Sequence, residues 1–151
     1  MATTDGISRK EWDRVTELAF AIWHHINDAE VDIRRLELFA YLDALEKKYG
    51  PLPSILATRA DFSSEDDTDN QEELLVRAYA LAVERGDRWN ALVIAHSLAD
   101  MYLGQLGKPQ EGGTWLACFG THLYEDPEDP WWQREYERLA GIARTLENPS
   151  R

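Results

Sequence analysis

Apolar residues recur at helical spacing near the amino terminus. Their i, i+3, i+4 spacing predicts one apolar helix face, made of Trp12, Val15, Ala19, Ile22 and Ile26. Leu18 and Trp23 lie beside this stripe. Ser8 precedes the stripe, and Glu11 lies three residues after Ser8, which is the spacing of a capping box. A first helix is therefore expected to begin after Ser8.

The same spacing and clear end signals predict five further helices. They are expected at about 30–49, 70–86, 88–107, 115–123 and 130–147. Gly50-Pro51 and Asn148-Pro149 end two of them, while Asp69 or Asn70, Asp87 and Asp129 are the expected amino-terminal caps. Residues 53–62 are expected to hold only one short helical turn. No alternating strand pattern flanked by hairpin turns is found.

The helix expected at 88–107 is apolar nearly all round, so it needs packing partners on more than one side. This favours an all-α fold of about six helices in stacked antiparallel hairpins. Residues 1–151 are expected to form a single domain, since this length is typical of one core. An acidic loop is expected at about 62–70, because residues 61–73 hold seven acidic and no basic side chains. A solvated loop is the simpler interpretation, and a docking site for a basic partner is the alternative.

Composition narrows the class of protein. Hydrophobic residues make up 44% of the chain, which excludes a disordered or fibrous protein. The one cysteine, Cys118, cannot form an internal disulfide and fits a reducing compartment. The uncharged stretch 89–99 is far shorter than the roughly 20 residues of a membrane span, and no secretion signal is recognised. A soluble, cytoplasmic protein is expected.

The formal net charge of −12 excludes two classes of partner. Nucleic acids and acidic membrane surfaces both require a basic protein surface, so neither is expected as a partner. A positively charged partner would instead be attracted. The alternative is that the acidity only maintains solubility.

Residues 84–124 contain Glu-Arg-Gly-Asp-Arg-Trp at 84–89, followed by Leu98-Ala99, Tyr102 and Gly107. With these residues the segment resembles a tetratricopeptide hairpin. It is similar in particular to the loosely conserved repeats of large bacterial regulators. It implies that Ala99 permits close helix approach and that the fold is a tetratricopeptide-like superhelix, with an irregular helical bundle as the alternative. Gly112-Gly113 departs from the pattern, which usually has alanine there.

The resemblance also implies a ligand groove on the fourth predicted helix, the one expected at 88–107. Its groove-facing positions would be Val93, His96, Asp100 and Leu103. Family members that clamp a terminal carboxylate have Lys, Arg and Asn at such positions, whereas this chain offers His96 and Asp100. A cation or a basic side chain is therefore the expected ligand. The alternative is that His96 and Asp100, at i and i+4, pair with each other on the surface.

The tryptophans divide into two groups. Trp12, Trp23, Trp89 and Trp115 fall on core stripes. Trp131 and Trp132 are adjacent, so they cannot face the same way: Trp132 is expected inward and Trp131 nearer the surface. Beside the acidic run 125–129, Trp131 is a candidate for binding a basic or aromatic ligand by cation–π contact. The alternative is that Trp131 contacts a loop or a symmetry-related subunit. In the second case the protein would be a homo-oligomer.

We therefore expect a non-catalytic helical scaffold that binds a protein or peptide partner, with acidic residues selecting positive charge. No catalytic residue, metal or cofactor is expected. The adjacent His24 and His25 diverge by about 100° on a helix, and Cys118, one turn from His122, lies on an apolar stripe. Two alternatives remain. One is an enzyme or small-ligand site among His24, His25, His96 and His122, and the other is an acidic inhibitor or antitoxin-like protein that covers a basic site.

Overall fold

The computed structural model describes residues 3–24, 27–64, 67–125 and 129–148. Within these ranges the chain is all-helical and has no strand, as the sequence predicts. The helices are α1 (Arg9–Trp23), α2 (Asp28–Tyr49), α3 (Pro53–Asp61), α4 (Thr68–Glu84), α5 (Arg88–Asp100), α6 (Pro109–Glu125) and α7 (Pro130–Glu147). None of them combines the length and apolarity that crossing a membrane requires.

Contacts divide the chain into two compact units. Unit 1 is Met1–Asp87 and contains α1 to α4, and unit 2 is Arg88–Arg151 and contains α5 to α7. The expectation of a single domain over 1–151 stays a prediction.

Helix α1 begins where the capping residues predict. The backbone N–H of Glu11 donates to the Ser8 hydroxyl oxygen at 3.3 Å, and the Ser8 hydroxyl donates to the Glu11 carboxylate at 2.7 Å. The buried face of α1 is made of Val15, Leu18, Ala19 and Ile22. It packs along α2, which contributes Leu38, Leu42 and Leu45 to the same core. The predicted stripe residue Ile26 lies outside the described residues.

Residues 53–61 form more than the single turn expected from the sequence. Helix α3 is nine residues long, and its first four residues are buried. No local side chain caps it, because the N-cap position is Leu52. Asp5 does so from a distance: the Ser54 backbone N–H donates to Asp5 Oδ2 at 2.7 Å, and the Ser54 hydroxyl donates to Oδ1 at 2.8 Å. The sequence predicted only one turn here, because no local cap marks the start of the helix and the residue that caps it is 49 positions away.

The acidic loop is shorter than predicted. Helix α4 already begins at Thr68, with Asp67 at the N-cap position, so neither Asp69 nor Asn70 is the cap. Residues 68–70 thus belong to the helix, and the link to α3 comprises residues 62–67, of which Glu65 and Asp66 lie outside the described residues. Helix α4 packs along α3 and buries Leu75, Ala78 and Ala82.

Unit 2 is built on a hairpin of α5 and α6. Helix α5 is continued by a five-residue π-helical segment, Met101–Gln105, and the chain then turns at Gly107, which has a φ of 60°. Helix α6 begins at Pro109, earlier than the predicted 115, so Gly112 lies inside it. A Cβ added at Gly112 would meet Leu103 Cδ2 at 2.4 Å. This close approach explains glycine where the resembling pattern has alanine.

Two tryptophans expected in the core are largely exposed. Trp23 is 69% exposed and Trp89 is 51% exposed. Trp23 is the last residue of α1, one helical position away from the buried stripe, and its ring contacts Phe62 at 5.4 Å between centroids. Trp89 is the second residue of α5 and contacts Trp132 edge-on at 5.7 Å. Both corrections have one cause: helix ends expose residues that lie off the central stripe.

Candidate functional site

The five predicted ligand-binding residues all lie in unit 2, on α5, the π-helical segment and α7. Val93 and His96 are partly buried on α5, and Asp100 is its last residue. Leu103 is only 2% exposed, because it lies in the π-helical segment against Gly112 of α6. His96 and Asp100 do not pair with each other. Each is bonded instead to a residue of α7.

A continuous polar network joins α5 to α7. His96 Nε2 lies 2.8 Å from Glu135 Oε1, and Glu135 Oε2 accepts from Arg138 Nε at 2.8 Å. Arg138 Nη2 also donates to Asp100 Oδ1 at 2.9 Å. Glu135 and Arg138 were not among the site residues predicted from the sequence. Their signal was present as opposite charges at i and i+3 on a helix, but only the packed structure brings them to α5.

The arginine in this network holds Glu135 ionised. Hydrogen bonds from Arg138 first, and from His96 next, lower the pKa of Glu135 from its ordinary 4.5 to about 2. The same contacts, from Glu135 and then Asp100, raise the pKa of Arg138 above its ordinary value. Because Glu135 is an anion at neutral pH, it accepts the His96 Nε2–H. The network is therefore suited to fixing side chains in place rather than to exchanging protons.

We expect the stability contributed by Glu135 to disappear in acid. A carboxyl group whose folded-state pKa is lowered contributes stability that is present above its unfolded pKa, near 4.5, and is lost as the pH falls towards 2. Urea unfolding of Glu135→Gln should show a lower midpoint than the wild type at pH 7, and the gap should narrow steadily below about pH 4.5. Glu137→Gln, which removes an exposed carboxylate from the same helix, is the control and should differ little from the wild type. A gap that stays constant down to pH 2 would contradict the assigned role of Glu135.

Aromatic rings surround the buried side of the network. The His96 ring lies 5.3 Å from Phe119 and 5.5 Å from Trp132, measured between centroids. Trp131 approaches Trp132 edge-on at 4.8 Å and His96 at 5.6 Å. Trp132 is 9% exposed and Trp131 is 43% exposed, which confirms the predicted inward and outward directions. Trp89 also contacts Trp132, at 5.7 Å between ring centroids, and we call the three residues Trp89, Trp131 and Trp132 the tryptophan surface.

The first turn of α7 sets the position of Trp131. Asp129 caps the helix as predicted, because its Oδ1 accepts the Trp131 backbone N–H at 2.9 Å. Residues 126–128 of the neighbouring acidic run lie outside the described residues. The side of α5 predicted to be open is thus occupied by side chains of α7. Among the five predicted site residues, Trp131 alone is a large exposed apolar side chain.

Unit 1 contains a second candidate site, an open cleft between α1 and α2 of about 630 Å³. We call it the α1–α2 cleft, and its lining residues are Ser8, Lys10, Glu11, Arg14, Glu17, Tyr41, Lys48 and Tyr49. Glu11 accepts hydrogen bonds from Tyr49, from Ser8 and, at 2.9 Å, from Lys48 Nζ. These donors, Tyr49 foremost, lower the pKa of Glu11 to about 2. Nothing in the sequence pattern indicated this cleft, since its residues come from two distant stretches.

The histidines expected in the alternative enzyme site are not gathered in the cleft, whose lining contains neither histidine nor cysteine. The His24 ring contacts Phe20 in unit 1, at 4.0 Å between centroids, and its neighbour His25 lies outside the described residues. His96 is engaged by Glu135 in unit 2, and Cys118 is partly buried on α6. Within the described ranges, no group of three or more His, Cys, Asp or Glu side chains is arranged to hold a metal ion.

Comparisons with protein-family models, curated proteins and solved structures find no match to this chain. Any functional proposal therefore depends on the two candidate sites themselves.

Proposed function

We propose that this protein is a non-catalytic helical scaffold whose unit 2 binds a protein or peptide partner through the tryptophan surface. The observation that carries the proposal is the exposure of Trp131, at 43%, and of Trp89, at 51%, both in ring contact with Trp132. Exposed tryptophans are costly in water and are enriched among the residues that dominate binding energy at protein interfaces. In this proposal, the α5–α6 hairpin is tetratricopeptide-like and supplies the rigid support.

The support beneath Trp131 favours a binding role. Its backbone is capped by Asp129, its ring contacts Trp132, and the His96–Glu135 hydrogen bond holds α7 beside α5. A side chain that is held in place before binding loses less conformational entropy when a partner arrives. Trp131 is thus suited to contact a partner with little rearrangement.

Charge favours a basic partner. The chain carries a net charge of −12, and this field would steer a cationic segment towards it. An arginine or lysine side chain could then lie over the exposed face of Trp131, where cation–π attraction contributes about 0.5–1 kcal/mol at exposed sites. A cytoplasmic setting belongs to the same proposal.

The test is quantitative affinity purification with the full chain. We expect Trp131→Ala to reduce recovery of the specific partner at least about tenfold, since interface tryptophans commonly contribute 2 kcal/mol or more. Trp23→Ala is the control, because it removes another exposed tryptophan, from unit 1. Equal losses from both variants, or none from Trp131→Ala, would contradict the proposal. A recovered cationic enzyme that the protein inhibits would favour the inhibitor interpretation over a general scaffold.

A further inference from the structure

We propose that the α1–α2 cleft is a binding site for a small organic anion that carries an aromatic ring. The site lies wholly in unit 1 and does not depend on the tryptophan surface. It is carried by the cleft itself and by the donors that its lining leaves available: Lys10, Arg14 and Tyr41.

The balance of donors and acceptors in the lining calls for an anion. Glu11 is already engaged by three donors, and Glu17 accepts from Arg14 Nη1 at 3.0 Å. Arg14 makes only this one hydrogen bond to a described residue, so most of its guanidinium donors remain available. Lys10 and Tyr41 make no hydrogen bond or ion pair within the described part of the chain. The surplus is therefore on the donor side, and a ligand must supply acceptors.

The charge around the cleft agrees with this balance. The lining holds three cations, Lys10, Arg14 and Lys48, against the two carboxylates of Glu11 and Glu17. The chain as a whole is strongly acidic, with a net charge of −12. A locally positive lining in such a chain favours a small anion that reaches Lys10 and Arg14 directly. A large polyanion such as a nucleic acid would be repelled by the rest of the surface.

The walls of the cleft favour a ring. Tyr41 and Tyr49 contribute two aromatic side chains, and the aliphatic stems of Lys10 and Arg14 add apolar surface. Lys48 Nζ lies 5.1 Å from the centroid of the Tyr49 ring and is also bonded to Glu11. Tyr49 and Lys48 are thus held in place before a ligand arrives. A volume of about 630 Å³ is within the range of sites that bind small molecules.

The experiment is an NMR titration of the full ¹⁵N-labelled chain with phenyl phosphate. We expect saturable amide shifts concentrated in residues 8–17 and 41–49. Three further compounds test the parts of the proposal separately. Inorganic phosphate lacks the ring, phenol lacks the charge, and benzylamine carries a positive charge in place of a negative one. Each should bind at least about tenfold more weakly than phenyl phosphate. Equal binding of any of the three would overturn the proposal, as would shifts spread over unit 2.

Matched charge variants distinguish a site from general attraction. Lys10→Ala should raise the dissociation constant about tenfold, because it removes a charged hydrogen-bond donor. Arg9→Ala removes the same charge from the preceding residue, which is exposed, ion-paired with Asp13 and outside the lining. It should change the constant less than about twofold. Equal effects of Lys10→Ala and Arg9→Ala would overturn the proposal. Tyr41→Phe, which keeps the ring and its packing, should weaken binding about threefold.

Discussion

Replacing Phe119 by alanine is expected to lower the free energy of unfolding by about 3–5 kcal/mol. Phe119 is fully buried on α6, and its ring lies 5.3 Å from His96, 5.9 Å from Trp132 and 6.0 Å from Tyr136. The substitution removes apolar contacts with both α5 and α7, and it leaves a cavity beneath the polar network. Urea unfolding followed by circular dichroism measures the loss.

Two controls define the origin of this effect. Phe119→Leu keeps most of the apolar volume and should cost about 1 kcal/mol. Phe20→Ala removes the same side chain from a position that is 57% exposed, where a loss below about 1 kcal/mol is expected. A small effect of Phe119→Ala, similar to that of Phe20→Ala, would show that the core of unit 2 is not organised around this ring.

Asp5→Ala is expected to destabilise the protein by about 2–3 kcal/mol. Asp5 is 5% exposed, and both of its carboxylate oxygens accept hydrogen bonds from Ser54, which is 6% exposed. Alanine would leave the backbone N–H and the hydroxyl of Ser54 without these acceptors at the start of α3, and a buried unsatisfied group costs about 1–3 kcal/mol. The free energy of unfolding, measured in urea, tests this expectation.

Asp5→Asn keeps the size of the side chain and one of its two hydrogen bonds to Ser54. The asparagine carbonyl can still accept the Ser54 N–H, so about half of the loss should be recovered. The backbone carbonyl of residue 5 also accepts from Arg85 Nη2 at 3.3 Å, and neither substitution removes that contact. If Asp5→Ala left stability unchanged, α3 would not depend on this distant cap.

Local chemistry made several helix ends predictable. The α1 start at Ser8, the α2 end at Gly50 and the α7 cap at Asp129 are all set by residues within one turn of the helix end. The core stripes of α1 and α4 followed from spacing alone. Predictions failed where local signals were weak: α4 begins at Thr68 without a side-chain cap, and α6 begins at Pro109 before its apolar stripe.

The candidate sites were only partly visible in the sequence. Trp131 could be assigned to the surface because adjacent helical residues point in different directions, and its partner Trp132 filled the core. The pairing of His96 and Asp100 with α7 could not be predicted, because i, i+4 spacing on one helix does not show that another helix offers better partners. The α1–α2 cleft likewise depends on residues more than 20 positions apart, which hydrophobic spacing does not relate.

By itself, the sequence determined the helical class, the inward faces of most helices and the strongly acidic charge, because periodicity, capping and charge are local or additive properties. Only the tertiary structure decided that Asp5 caps α3, that Glu135 and Arg138 occupy the side of α5 expected to be open, and that three cations and two tyrosines meet at one cleft. These features require residues from separate helices to converge. Their positions depend on how whole helices pack, which no local pattern specifies.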